Sequence, residues 1–226
     1  MEAATEASSA LAEREGLVGK LCLPYVLQGL LAWRNGDWEE AEMLFRRAHE
    51  LAEQVGWSEL AFSSLFGLAL VLRDRGDYTE AVATLAQAVD VCERAGLIAQ
   101  SIQAISARAI VLALAGKDAP AREAAAEAAE LAGRLHYPVG HASALEAQGA
   151  TAEDPAEAVR LLDEAHAAWT GLGRPLEAAR CHLLAGLLLA DRDGDAAGQA
   201  RARAAEELSG LGVAHLTARA EEPAAT

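Results

Sequence analysis

Six histidines, three cysteines and 34 carboxylates are the side chains in this 226-residue chain that could hold a metal or move a proton. Metal sites need such groups at defined helical or loop spacing. His136 and His141 are five apart across Pro138, His49-Glu50 lacks the second histidine of an HExxH helix, and His166, His182 and His215 stand singly. These read as solvent-facing or satisfied histidines, with no metal expected. Asp191-Arg192-Asp193-Gly194-Asp195 looks like the opening of a calcium loop. Its sixth and twelfth places are Ala196 and Ala202, where glycine and glutamate are required. The segment reads instead as an inter-helix turn with an N-cap.

Nucleotide and acyl-transfer chemistry fare no better. Gly116-Lys117 follows an apolar run, but a phosphate loop needs a glycine at Val111 and Ser or Thr at Asp118. No serine lies in a G-x-S-x-G elbow, and Cys181-His182 are helix neighbours facing different ways. The chain is expected to be non-catalytic and to need no cofactor.

With 34 acidic against 19 basic residues the formal charge is −15. Only Lys20 and Lys117 are lysines, so clustered cations for phosphate contacts or a membrane surface are missing. Direct nucleic-acid and membrane partners are therefore not expected. No apolar run reaches the roughly 20 residues of a membrane helix, and Met1–Glu15 lacks the pattern of a signal peptide. Cys22, Cys92 and Cys181 are far apart and set among apolar residues, which reads as buried, reduced thiols. Together these place the chain in the cytoplasm.

The elements that must carry any site announce themselves by repetition. Gly36-Asp37-Trp38-Glu39-Glu40-Ala41 returns forty residues later as Gly76-Asp77-Tyr78-Thr79-Glu80-Ala81, and Gly116 to Ala121 keeps part of the pattern. Gly16, Gly56 and Gly96 keep the same step, with His136 next and Gly173 and Gly212 after slight shortening. A third ladder is Gly29, Ala69, Ala109, Gly149 and Gly186. Ala41, Leu44, Phe45, Ala48, Leu51, Ala52 and Val55 follow the spacing of an amphipathic helix. Asp37 stands at its N-cap position and Gly56 at its left-handed C-terminal position. Each period is then two helices joined by tight turns, so neighbours are antiparallel. The small residues, with Ala41, Ala81, Ala121 and Ala158, allow close approach, and Phe45, Leu85 and Leu162 fill the space between.

These marks resemble the tetratricopeptide repeat: Gly29, Gly36-Asp37-Trp38-x-Glu40-Ala41, Phe45 and Ala48, then Ala69, Gly76-Asp77-Tyr78-x-Glu80-Ala81, Leu85 and Ala88. The resemblance runs from about Leu11 to Leu211 and implies an all-α fold: a right-handed superhelical solenoid of antiparallel helix pairs. The step of forty, together with Gly173-Arg174-Pro175-Leu176-Glu177-Ala178-Ala179-Arg180, is similar to the longer repeats of bacterial transcriptional regulators of the MalT/LuxR type and related signalling ATPases. The boundaries are expected at 1–16 for a partial repeat or capping helix and 17–212 for a solenoid of about five helix pairs. Residues 213–226 are expected to start a helix and end in a disordered tail. Opening mid-repeat suggests a piece of a longer protein, or a half-repeat acting as a cap.

Such solenoids bind extended partners along the concave face of their first helices. In this register that face carries Leu23, Val26, Leu30, Trp33, Phe66, Leu70, Arg73, Ile110 and Arg180. Its N-terminal half is apolar, which suits a protein or peptide partner, or is covered permanently by a neighbouring helix or second subunit. Trp33 and Arg73 are the first residues to mutate on this reading. The expected role is interaction or sensing within a bacterial regulator. A stand-alone adaptor and a small-molecule-binding or enzymatic helical domain are the alternatives. A small-molecule inducer and a homodimer are both compatible with the sequence.

Overall fold

The computed structural model describes residues 21–222, which form eleven α-helices. In chain order these are α1 (Cys22–Asn35), α2 (Trp38–Val55), α3 (Ser58–Arg75), α4 (Tyr78–Ala95), α5 (Ile98–Leu114) and α6 (Asp118–Leu135). They continue as α7 (Pro138–Thr151), α8 (Pro155–Gly171), α9 (Pro175–Leu188), α10 (Gly194–Leu211) and α11 (Ala214–Glu221). No strand occurs among the described residues. Expectations for residues 1–16 and for the last four residues lie outside them. The chain forms two compact units, dividing between Ser101 and Ile102 inside α5. Each unit is a stack of antiparallel helices of the tetratricopeptide-like helical-repeat class.

The glycine ladder sets the turns. Gly36, Gly56, Gly76, Gly96, Gly116, Gly173 and Gly212 all have φ between 67° and 93°. That left-handed geometry is nearly free for glycine and lets the next N–H reach back to the helix end. After α1, Asp37 N–H bonds Ala32 O at 2.9 Å and Gly36 N–H bonds Trp33 O at 3.0 Å, and the same pair of bonds recurs at Gly76-Asp77. His136 holds the equivalent place after α6 with φ 50°, the one non-glycine residue in this region among those described.

The expected caps divide. Asp154 and Asp193 accept from the Glu157 and Ala196 N–H groups, so the acidic loop ending at Asp195 is a capped turn. Asp37 stands at an N-cap position without a side-chain cap, contrary to expectation, and Asp77 forty residues on does the same. The Asp37 backbone already closes α1 and opens α2, and the Asp77 carboxylate is taken by the Arg75 guanidinium.

Packing follows the small-residue ladders. Phe45 is fully buried, and a Cβ added to Gly29 would lie 3.0 Å from its ring. Gly67 approaches the same ring more closely, 2.3 Å from a hypothetical Cβ to Cε1. The first unit is thus built around an aromatic ring seated between two glycines on α1 and α3. In the second unit a Cβ on Gly149 would meet Leu162, including its backbone N at 3.0 Å, and one on Gly186 would meet Arg201. There α6 buries only alanines: Ala121, Ala124, Ala125, Ala128 and Ala132. Much of the alanine content is therefore a packing choice that brings backbones together, beyond helix propensity.

Candidate functional site

In the first unit the forty-residue step aligns Leu23, Val26, Leu30 and Trp33 of α1 with Ser63, Phe66, Leu70 and Arg73 of α3. Helices α1 and α3 touch directly, so the aligned positions split between the α1–α3 seam and the open face. Leu23 and Leu30 are 49% and 39% exposed, and Phe66 and Leu70 are half-buried. The Phe62 and Phe66 rings lie 5.5 Å apart, which braces Phe66 against its own helix. Leu27, one turn from both exposed leucines, is 53% exposed and widens the apolar stripe on α1.

The remaining positions of the register are internal. Val26, Trp33 and Arg73 are buried. Trp33 donates its indole Nε1–H to Asp74 at 2.9 Å, and Arg73 Nε donates to the other oxygen of the same carboxylate at 2.7 Å. The Arg73 and Asp74 side chains are 7% and 3% exposed, so this pair is internal to the fold. Substitution of Trp33 or Arg73 therefore probes folding rather than a groove. Indoles and guanidiniums at these places satisfy a buried carboxylate, which helical spacing alone does not reveal.

The second unit repeats this solution. Ile110 is buried. Arg180 bonds Glu146 through two nitrogens at 2.9 and 3.0 Å, and Trp169 Nε1 donates to Glu146 at 3.2 Å. Glu146 is 1% exposed. Burial works against the Arg180 charge, but Glu146 outweighs it and holds the guanidinium firmly protonated. Arg180 is thus bound within the unit.

All three cysteines are buried and free. Burial pushes the Cys92 thiol up to about 11, raises Cys22, and raises Cys181 further. Raised thiols are poor nucleophiles and poor ligands at neutral pH.

The histidines that stand singly in the sequence do not all do so in space. The His166 and His182 rings stack with centroids 4.3 Å apart. His166 Nε2 lies 3.1 Å from Glu207 Oε1, and His182 Nδ1 lies 3.2 Å from Glu207 Oε2. The three residues come from α8, α9 and α10, and their donor atoms lie within 4.8 Å of one another. Sequence spacing concealed the group because its members are 16 and 25 residues apart. The available signal was the period: His166 and Glu207 are 41 residues apart on the second helices of successive pairs.

The fold and these sites define a helical-repeat protein whose first unit exposes Leu23, Leu27 and Leu30 along α1. Residues 21–94, which span α1 to α4, match the tetratricopeptide repeat family. No curated protein matches the chain in sequence. Among solved structures it is similar to BtubC (BKLC) from P. vanneervenii, at TM-score 0.62 and 21% identity, covering 92% of this chain and 90% of that one. It is also similar to a Rap protein complexed with competence and sporulation factor, at TM-score 0.65 and 20% identity. That match covers 89% of this chain and 58% of the Rap chain, so this chain spans little more than half its length. At these identities the likeness concerns the fold. No helix among the described residues is long and apolar enough to cross a membrane.

Proposed function

We propose that the chain is a non-catalytic interaction module that binds a protein or peptide through the first-unit face formed by Leu23 and Leu30 of α1 and Phe66 and Leu70 of α3. The observation that carries this reading is the run of exposed leucines Leu23, Leu27 and Leu30 on α1, which touches α3, where Phe66 and Leu70 are half-buried. Contiguous apolar surface of this kind marks contact sites, and an apolar groove on paired helices suits an extended or helical segment. The tetratricopeptide match over residues 21–94 and the Rap protein solved with a bound factor support it. A narrower role, as the repeat region of a bacterial transcriptional regulator, draws on the forty-residue step and the segment Gly173 to Arg180.

Panning a displayed peptide library against the full chain tests the reading. Enriched peptides should be apolar, and Leu30→Glu with Phe66→Glu should abolish their binding while the circular dichroism melt is retained. Failure to enrich any peptide, or binding indifferent to both substitutions, would overturn it.

A further inference from the structure

We propose that His166, His182 and Glu207 form a binding site for a divalent transition-metal ion of the zinc, nickel or copper class. The donor set is two imidazoles and one carboxylate, the chemistry those ions prefer, whereas magnesium and calcium favour all-oxygen sites. One donor atom from each residue lies within 4.8 Å of the other two, close enough for small side-chain shifts to converge on one ion. Ligands about 2.0–2.1 Å from a tetrahedral zinc stand roughly 3.3 Å from one another. His166 Nε2 and His182 Nδ1 stand 3.1 and 3.2 Å from different oxygens of Glu207, and their stacked rings would turn toward each other to share one ion.

The surroundings supply the support that ligating histidines use. A metal-bound imidazole usually gives its second N–H to a carboxylate, which fixes the tautomer and ring orientation. His182 Nε2 faces Asp163 Oδ1 at 3.6 Å, on the side away from Glu207. Asp163 lies one turn before His166 on α8, and at this distance a small shift would let it accept from the His182 ring once an ion is bound. Three protein ligands leave the fourth position open. A cavity of about 630 Å³ reaches the cluster, lined in part by His166, Thr170, Pro175, Arg203 and Glu207. Water or an anionic group of a partner could occupy that position. His182 is 9% exposed and His166 26% exposed, so one ligand is anchored in the core and the other can be reached from solvent. A bound ion would tie α8, α9 and α10 together, three consecutive helices of the second unit.

The alternative is a hydrogen-bonded trio in which each imidazole donates to Glu207. Titration of the tag-free, metal-stripped full chain with Zn²⁺ against a chromophoric indicator separates the two. The metal site requires one ion per chain, a Tm raised by zinc and restored by chelator, and visible ligand-field bands on Co²⁺ loading. His166→Ala and Glu207→Gln should each weaken binding by about 100-fold, and Asp163→Asn by roughly 10–100-fold. His141→Ala, outside the cluster, should change nothing. If His182→Ala proves too unstable to purify, the exposed ligand His166 and the cobalt spectrum of the parent chain still decide the matter. Absence of stoichiometric binding, or binding unchanged in His166→Ala and Glu207→Gln, would overturn the proposal.

Discussion

Replacing Arg180 by alanine should destabilise the second unit far more than any surface substitution. The Glu146 side chain is 2% exposed, and in the intact protein three donors from two residues hold it, two of them from Arg180. Without Arg180 the carboxylate keeps only the Trp169 indole. Removing one member of a buried ion pair costs about 3–5 kcal/mol, because the remaining charge stays desolvated. At roughly 2–4 °C per kcal/mol for a chain of this size, Tm should fall by about 6–20 °C. The double variant Glu146→Leu with Arg180→Leu should recover most of that loss, since it leaves no unpaired charge. Urea denaturation followed by far-ultraviolet circular dichroism measures all three species. If Arg180→Ala lies within about 1 kcal/mol of the parent, as an exposed pair would, or if the double variant is as unstable as the single, the reading of Arg180 as an internal support is wrong. A partner contact at Arg180 would show the opposite pattern, with binding lost and stability kept.

Other expectations follow from single positions. His136→Gly should stabilise the chain by about 0.5–1 kcal/mol in a denaturant melt, because glycine takes the left-handed cap without strain. Gly149→Ala should cost about 1–3 kcal/mol, since the new methyl meets the Leu162 backbone, whereas Gly133→Ala on α6 meets nothing and should be neutral or stabilising by the same assay. Glu42 accepts from Arg46 at 2.8 Å and Arg75 at 2.7 Å. Partial burial raises its pKa, but the two guanidiniums outweigh this and bring it below the usual 4.5. A carboxylate lowered on folding adds stability above its unfolded pKa and loses it as pH falls through the folded one. Melting should therefore weaken from about pH 4.5 downward, and Glu42→Gln should flatten that slope; an unchanged slope would refute the assignment.

The repeat was legible because each mark has a local cause. A glycine ending a helix, an alanine facing a neighbour and an apolar residue every third or fourth place are all visible within one helix. The long-range partners were less so, because what each side chain contacts lies 34 to 41 residues away, in a neighbouring repeat. Trp33 meets Asp74, His166 meets Glu207, Arg180 meets Glu146 and Arg46 meets Glu80 at separations of 41, 41, 34 and 34 residues. Searching for ligands at i+3 or i+4 passes over such pairs. The groove register placed Val26, Trp33, Arg73, Ile110 and Arg180 beside Leu23, Leu30, Phe66 and Leu70 on periodicity alone. Periodicity identifies a helix face but not how deeply the next helix covers it, and that coverage separates the buried members from the exposed ones. Gly67 escaped notice for a similar reason: its role depends on the Phe45 ring of another helix.

The three buried thiols have a practical consequence. Cys22, Cys92 and Cys181 are each 0% exposed, so the folded chain presents none of its own cysteines to alkylating reagents or dyes. A cysteine introduced at Leu27, beside the apolar face, would then be the sole labelling handle on the folded molecule, with no native cysteine removed. A fluorophore there would report directly on occupancy of the apolar face, while slow appearance of the other three signals would time the opening of the fold.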